Sequence, residues 1–136
     1  MKPKKLIVYS DGASRGNPGP AGVGVVIEDE LGRCLKTVSK FIGHATNNEA
    51  EYSGVIFALE TAFPFAADQV ELRLDSELVV RQLTGKYKVR SPALKPFYEK
   101  ARHWLGRFKF VSIKHVPREQ NKGADRLAGQ AIDRRV

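Results

Sequence analysis

The sequence predicts an α/β fold, a mixed sheet of five strands with helices on its faces, and two observations carry that prediction. Three apolar, β-branched-rich segments follow one another with only turn residues between them, which is how hairpin-linked antiparallel strands read. After them, helix-like segments alternate with strand-like ones, and helical connections imply parallel neighbours in the same sheet. The order is strand-strand-strand-helix-strand-helix-helix-strand-helix. The 136 residues suit one domain, 1–136, with no repeat or linker to divide it.

Lys5 to Ser10 reads as a buried strand. Gly12 to Gly24, with five glycines, Pro18 and Pro20, begins as a turn-rich connection. Gly22 to Glu28 and Cys34 to Ile42 pair as a hairpin around Asp29-Glu30-Leu31-Gly32. Thr46 to Phe63 is a helix, because Ala50, Val55, Ile56, Leu59, Ala62 and Phe63 recur close to helical spacing. Thr46 and Glu49 form a capping box at its start, and Pro64 stops it. Val70 to Leu74 is the fourth strand. Ser76 to Leu83 and Ser91 to Leu105 are helices, Phe108 to Val116 the fifth strand, and Asn121 to Ile132 a closing helix capped by Asn121.

Composition narrows the function. No run approaches the roughly 20 apolar residues a bilayer span needs. The short run Leu6-Ile7-Val8-Tyr9 is strand length and has no cleavage-site pattern, so no signal peptide is expected. Cys34 is the single cysteine, which excludes an internal disulfide and a thiolate metal cluster. A cytoplasmic protein is expected. The net charge is +8, and between Arg81 and Arg118 eleven Lys or Arg face a single acid, Glu99, so the excess is concentrated. Such a patch, interleaved with aromatics such as Tyr87 and Phe110, suits a polyanion. Trp104 and its aromatic neighbours fit helix and strand periodicity and read as core rather than as stacking platforms. His44 and His103 read as surface residues, and Cys34 as inert mid-strand.

Against this basic background stand four acids. Asp11 ends the first strand and Asp75 the fourth, and if a helical crossover makes those strands parallel neighbours, both carboxylates reach one edge. Glu51 lies on the first turns of the crossing helix, and Asp125 one turn into the last. Clustered carboxylates repel, so the group calls for a cation. Oxygen-only ligands suit Mg²⁺ or Mn²⁺, and two such ions can clamp a phosphodiester. Glu49 competes with Glu51, but two helical positions apart the side chains diverge by about 200°, so only one faces the edge.

The segments YSDGASRGNPGPAG (9–22), TNNEAEYSGVIFAL (46–59), LDSELVVRQLTG (74–85) and REQNKGADRLAGQA (118–131) resemble the type 1 ribonuclease H family, in its order and spacing and over nearly the whole chain. The resemblance implies a ribonuclease H-like sheet of strand order 3-2-1-4-5. It implies hydrolysis of the RNA strand of RNA–DNA hybrids by two Mg²⁺ or Mn²⁺ ions, with weaker cutting of double-stranded RNA, in a monomer that needs no protein partner. Asp11, Glu51, Asp75 and Asp125 match the family's metal ligands. Gly12, Asn17, Thr46, Asn47 and Asn48 match substrate-holding positions: Thr46 and Asn17 for a phosphate of the DNA strand, Asn47 and Asn48 for the 2′-hydroxyl side of the RNA strand.

Two departures from the family pattern matter. Gly85 to Ala93 is too short for the extra basic helix, or handle, of many bacterial members, so the chain resembles the handle-less subset that includes archaeal-type members. Lys86, Lys88 and Arg90 become candidates for substrate grip. The loop before the last helix is also abbreviated. There Arg118 is favoured over His115 for the place of the family's catalytic histidine. Two other readings remain: a binding module of this fold that has lost catalysis, and a nuclease of the same chemistry acting on double-stranded RNA or a 3′ end.

Overall fold

A computed structural model describes residues 2–136. Strands β1 (Lys5–Ser14), β2 (Gly19–Asp29), β3 (Cys34–Ala45), β4 (Gln69–Leu74) and β5 (Phe110–His115) form one sheet of order β3-β2-β1-β4-β5. The first three pair antiparallel, and β4 joins β1 and β5 in parallel, as the connections predict. The helices are α1 (Asn47–Ala62), α2 (Glu77–Leu83), α3 (Lys95–Leu105) and α4 (Lys122–Arg134). None of them is long and apolar enough to cross a membrane.

Alternation along β1 divides the layers. Leu6, Val8, Ser10 and Gly12 share one face, where α1 packs against Gly12 and Gly54 meets Ser10. Ile7, Tyr9, Asp11 and Ala13 share the other, with their β2 partners Val26, Gly24 and Gly22 under α4. The main core lies on the α1 side, where Leu6, Val8, Val25, Ile27, Tyr52, Val55, Leu59 and Leu72 are fully buried. Tyr52 ties α1 to α2 by donating its hydroxyl hydrogen to Gln82 Oε1 at 2.5 Å inside that core.

Several boundaries differ from the sequence reading. β1 runs on to Ser14 and β2 starts at Gly19, so the turn shrinks to residues 15–18. Two glycines, Gly12 in the stretch read as a turn-rich connection and Gly24 in the second strand, are there for close approach. A Cβ on Gly12 would lie 2.0 Å from the Ala50 carbonyl oxygen of α1, and one on Gly24 would lie 2.0 Å from that of Ala124 in α4. α3 starts at Lys95, not Ser91. Pro96 then sits in the first helical turn, where its missing N–H costs nothing, and Ser91–Leu94 forms a hydrogen-bonded turn instead. Phe108 lies outside β5 and packs edge-on against Phe63, 5.7 Å between ring centres, as does Trp104 at the same distance. The core reading holds for those two but fails for Tyr87 and Phe110, 48% and 61% exposed. Cys34 opens β3 and is exposed rather than mid-strand.

Candidate active site

The parallel pairing of β1 with β4 ends at Ser10 opposite Leu74, so Asp11 and Asp75 are the first residues beyond it on adjacent strands. That places their carboxylates at one rim. Glu51 arrives from α1, which the absence of a side chain on Gly12 lets lie against β1. Its Oε1 accepts a hydrogen bond from the Gly12 N–H at 3.0 Å. The competition between Glu49 and Glu51 is settled by geometry. Glu49 Oε1 accepts from Thr46 N–H at 2.9 Å and Thr46 Oγ1 accepts from Glu49 N–H at 3.2 Å, a complete capping box that leaves Glu51 to the rim.

Asp11, Glu51 and Asp75 each offer a ligand oxygen within 4.8 Å of the others. Asp125, from the first turn of α4, lies outside that tight set but lines the same concavity, together with Gly12, Asn47 and Arg118. The electrostatics are those of crowded acid. Burial first, then Glu51 and the nearby Asp75 and Asp125, pushes the Asp11 carboxyl far above the ordinary carboxylate range. Burial also raises Glu51, to about 7, against the lowering effect of its hydrogen bonds to Asp11 and Gly12. A hard divalent cation is the partner that removes this repulsion, and an all-oxygen donor set fits one.

Arg118 is the cation the chain itself brings to the concavity. It lies in a single 3₁₀ turn before α4, with its side chain 81% exposed and a guanidinium nitrogen 3.7 Å from Asp125 Oδ1. His115 ends β5, exposed, and does not line the concavity. The order favoured from sequence therefore agrees with the placement.

The neighbouring polar positions are partly engaged with one another. Asn17 Oδ1 accepts from the Asn47 backbone N–H at 3.1 Å, and Asn47 Oδ1 accepts from Ser14 N–H at 3.2 Å. Thr46 caps α1, and Asn48 is exposed on its first turn. Lys86, Lys88 and Arg90 are exposed in the connection between α2 and α3 and do not line the carboxylate concavity.

One residue of the site escaped the sequence reading. Asn121, expected as a helix cap, makes no capping hydrogen bond with its side chain. It is 1% exposed, and its amide donates to Ser10 O at 2.9 Å and to Asp75 Oδ2 at 3.2 Å. The available signal was its spacing, one helical turn before Asp125.

Comparison with known proteins agrees with this geometry. A family model described as reverse transcriptase-like matches residues 9–131. The chain is 50% identical over 129 residues to ribonuclease HI of Halobacterium salinarum, covering 95% of this chain and 65% of that protein's length. The crystal structure of RNase H1 from the same archaeon superposes with a TM-score of 0.93 at 48% identity, covering 96% of this chain and 98% of that one. LC11-RNase H1, solved in complex with an RNA/DNA hybrid, superposes with a TM-score of 0.89 at 47% identity, covering 95% and 97%.

Proposed function

The chain belongs to the type 1 ribonuclease H family, and on that premise we propose that it is an endonuclease that hydrolyses the RNA strand of RNA–DNA hybrids, leaving 3′-hydroxyl and 5′-phosphate ends. The observation that carries the reading is the meeting of Asp11, Glu51 and Asp75 at one rim, with Asp125 beside them. The hybrid bound by the similar LC11 enzyme supports the substrate.

These four carboxylates would hold Mg²⁺ or Mn²⁺, two ions per site. Bound there, the ions supply an acidified water and neutralise charge at the leaving oxygen. The chain's own residues do the rest. Asp11 is buried and Glu51 half-buried, and the fold holds the two close together, so the ligand geometry exists before substrate arrives. Arg118 brings its guanidinium to the concavity, where it balances charge that builds on the phosphate. Asn17 and Asn47 spend their carbonyl ends on backbone N–H groups, so their amide donors are what each offers a nucleic-acid backbone. Thr46 and Asn48 stand beside them at the start of α1. Gly12 lines the concavity and, by admitting α1, brings Glu51 to it. Lys86, Lys88 and Arg90 add electrostatic grip in place of a handle. Double-stranded RNA, which shares the A-like shape of the hybrid, is cut more slowly.

The test is cleavage of an end-labelled hybrid beside RNA duplex, DNA duplex and single-stranded RNA, with Mg²⁺, Mn²⁺ or chelator, by the wild type and Asp75→Asn. Internal cuts in the hybrid's RNA strand that need the metal and vanish in the variant are expected. Tight hybrid binding without cleavage would instead make the protein a binding module, and trimming from a 3′ end would make it an exonuclease.

A further inference from the structure

The strongest feature outside the carboxylates themselves is the buried amide of Asn121. Its NH₂ group carries two hydrogens, and the structure gives each a partner on a different chain segment at the end of the β1–β4 pairing. One goes to the carbonyl of Ser10, the residue before Asp11, and the other to the carboxylate of Asp75. Its backbone carbonyl accepts from the N–H of Asp125, one turn further along α4, at 3.1 Å. A single residue thus touches the segments that deliver three of the four acids. Its bond to Asp75 engages Oδ2 alone and leaves Oδ1 without that constraint.

This arrangement is not what packing alone would select. Asn121 Oδ1 and Ser10 Oγ are both buried with no hydrogen-bond partner among the described residues. Burying an unpartnered acceptor lowers stability, and an apolar side chain of similar size would avoid that cost. Aspartate would have the same shape but no donor when ionised, and would add a negative charge against Asp75. Asparagine combines a neutral side chain with two donors at the required distance.

We propose that Asn121 is a positioning residue for the metal-binding cluster: it fixes the rotamer of Asp75 and the spacing of β1 and β4 where their pairing ends, so that Asp75 and Asp11 are preset for a divalent cation. The proposal rests on the ribonuclease H reading of the site, and outer partners of ligating carboxylates act in this way generally. It assigns Asn121 no contact with the reacting phosphate.

The experiment measures Mn²⁺ binding by titration calorimetry to wild type, Asn121→Ala, Asp75→Asn and the double variant, without nucleic acid. Asn121→Ala should weaken Mn²⁺ about 10–100-fold. In the Asp75→Asn background the same change should cost clearly less, because the route through Asp75 is removed and only the tie to Ser10 is left. Cleavage by Asn121→Ala should lose kcat while the KM for hybrid stays within about twofold of wild type. Asn121→Ser, polar and too short to reach Asp75, serves if the alanine variant does not fold. The wild type carries its own signature: the Asn121 side-chain amide resonances should be protected from solvent exchange, and should shift on Mg²⁺ titration. Full Mn²⁺ affinity in a folded Asn121 variant, a loss that simply adds to that of Asp75→Asn, or amide resonances indifferent to Mg²⁺ would overturn the proposal. A wild type that binds no Mn²⁺ at all would overturn the ribonuclease H reading, and this inference with it.

Discussion

Replacing Gly12 by alanine should damage both the fold and the site, because one atom there has nowhere to go. The added Cβ would sit 2.0 Å from the Ala50 oxygen, 2.1 Å from its carbonyl carbon and 2.5 Å from Glu51 N, all backbone atoms of α1. Ordinary contact begins at 3.4 Å, so the helix must retreat by about 1.4 Å. No flexible side chain can absorb that shift. The retreat loosens the buried face of α1, which includes Tyr52, Val55, Ala58 and Leu59. Overpacking that side chains can partly absorb costs about 1–3 kcal/mol, so a forced backbone shift should reach at least the top of that range, about 3 kcal/mol. It also draws Glu51 away from Gly12 N–H and from the other acids, and a misplacement of about 1 Å can cost about 100-fold in rate. Urea unfolding gives the first quantity, and single-turnover cleavage of hybrid at saturating Mg²⁺ the second. Gly32→Ala is the control: nothing lies within 4 Å of its Cβ position, so only its φ of +81° resists, and cleavage should be unchanged. A Gly12→Ala protein within about 0.5 kcal/mol of wild type and cutting at the wild-type rate would refute the close-approach argument.

Three further outcomes are expected. Asp11 and Glu51 have raised pKa values in the folded protein, so from the ordinary carboxylate value up to about 7 for Glu51 and about 10 for Asp11 the native state holds protons that the unfolded chain has released. Metal-free stability should therefore fall as pH rises through that window, less steeply in Asp11→Asn and with saturating Mg²⁺; a metal-free profile no steeper in wild type than in Asp11→Asn would contradict this. Neutralising Lys86, Lys88 and Arg90 together, in the Asp75→Asn background, should flatten the dependence of log K for hybrid on log salt by about 2–3 units, and an unchanged slope would remove them from the phosphate contacts. Arg118→Ala should lower kcat at least about tenfold while His115→Ala stays near wild type, and the reverse order would reassign the role.

Much of this was readable in the sequence because strong local signals agreed with the tertiary outcome. The capping box at Thr46 and Glu49, the stop at Pro64 and the alternation of Val70, Leu72 and Leu74 all describe what the fold does there. The four carboxylates were legible because Asp11 and Asp75 follow the last paired residues of β1 and β4, and Glu51 and Asp125 lie near the starts of α1 and α4, which topology brings to the rim. What misled was glycine and asparagine, residues with two uses. Gly12 carries a turn residue's local signature, yet it is a strand residue whose missing Cβ admits a helix, a tertiary fact with no local trace. Asn121 carries the signature of a cap, yet its amide crosses 111 residues of sequence to Ser10. Phe110 follows the alternation of the fifth strand but is 61% exposed.

The four acids come from β1, α1, the end of β4 and α4, so the first and last are contributed by opposite ends of the described chain. Cleavage is therefore a readout of completed folding. A refolding intermediate with the sheet and α1 in place but α4 undocked would show native-like secondary structure while lacking Asp125, Arg118's anchored position and the amide on Asp75. During refolding, recovered cutting should track the docking of α4, the step at which Gly22 and Gly24 are covered, and should lag any signal from the Tyr52 core. On the proposed activity, a chain whose α4 has not docked should leave hybrid uncut even with the sheet and α1 in place.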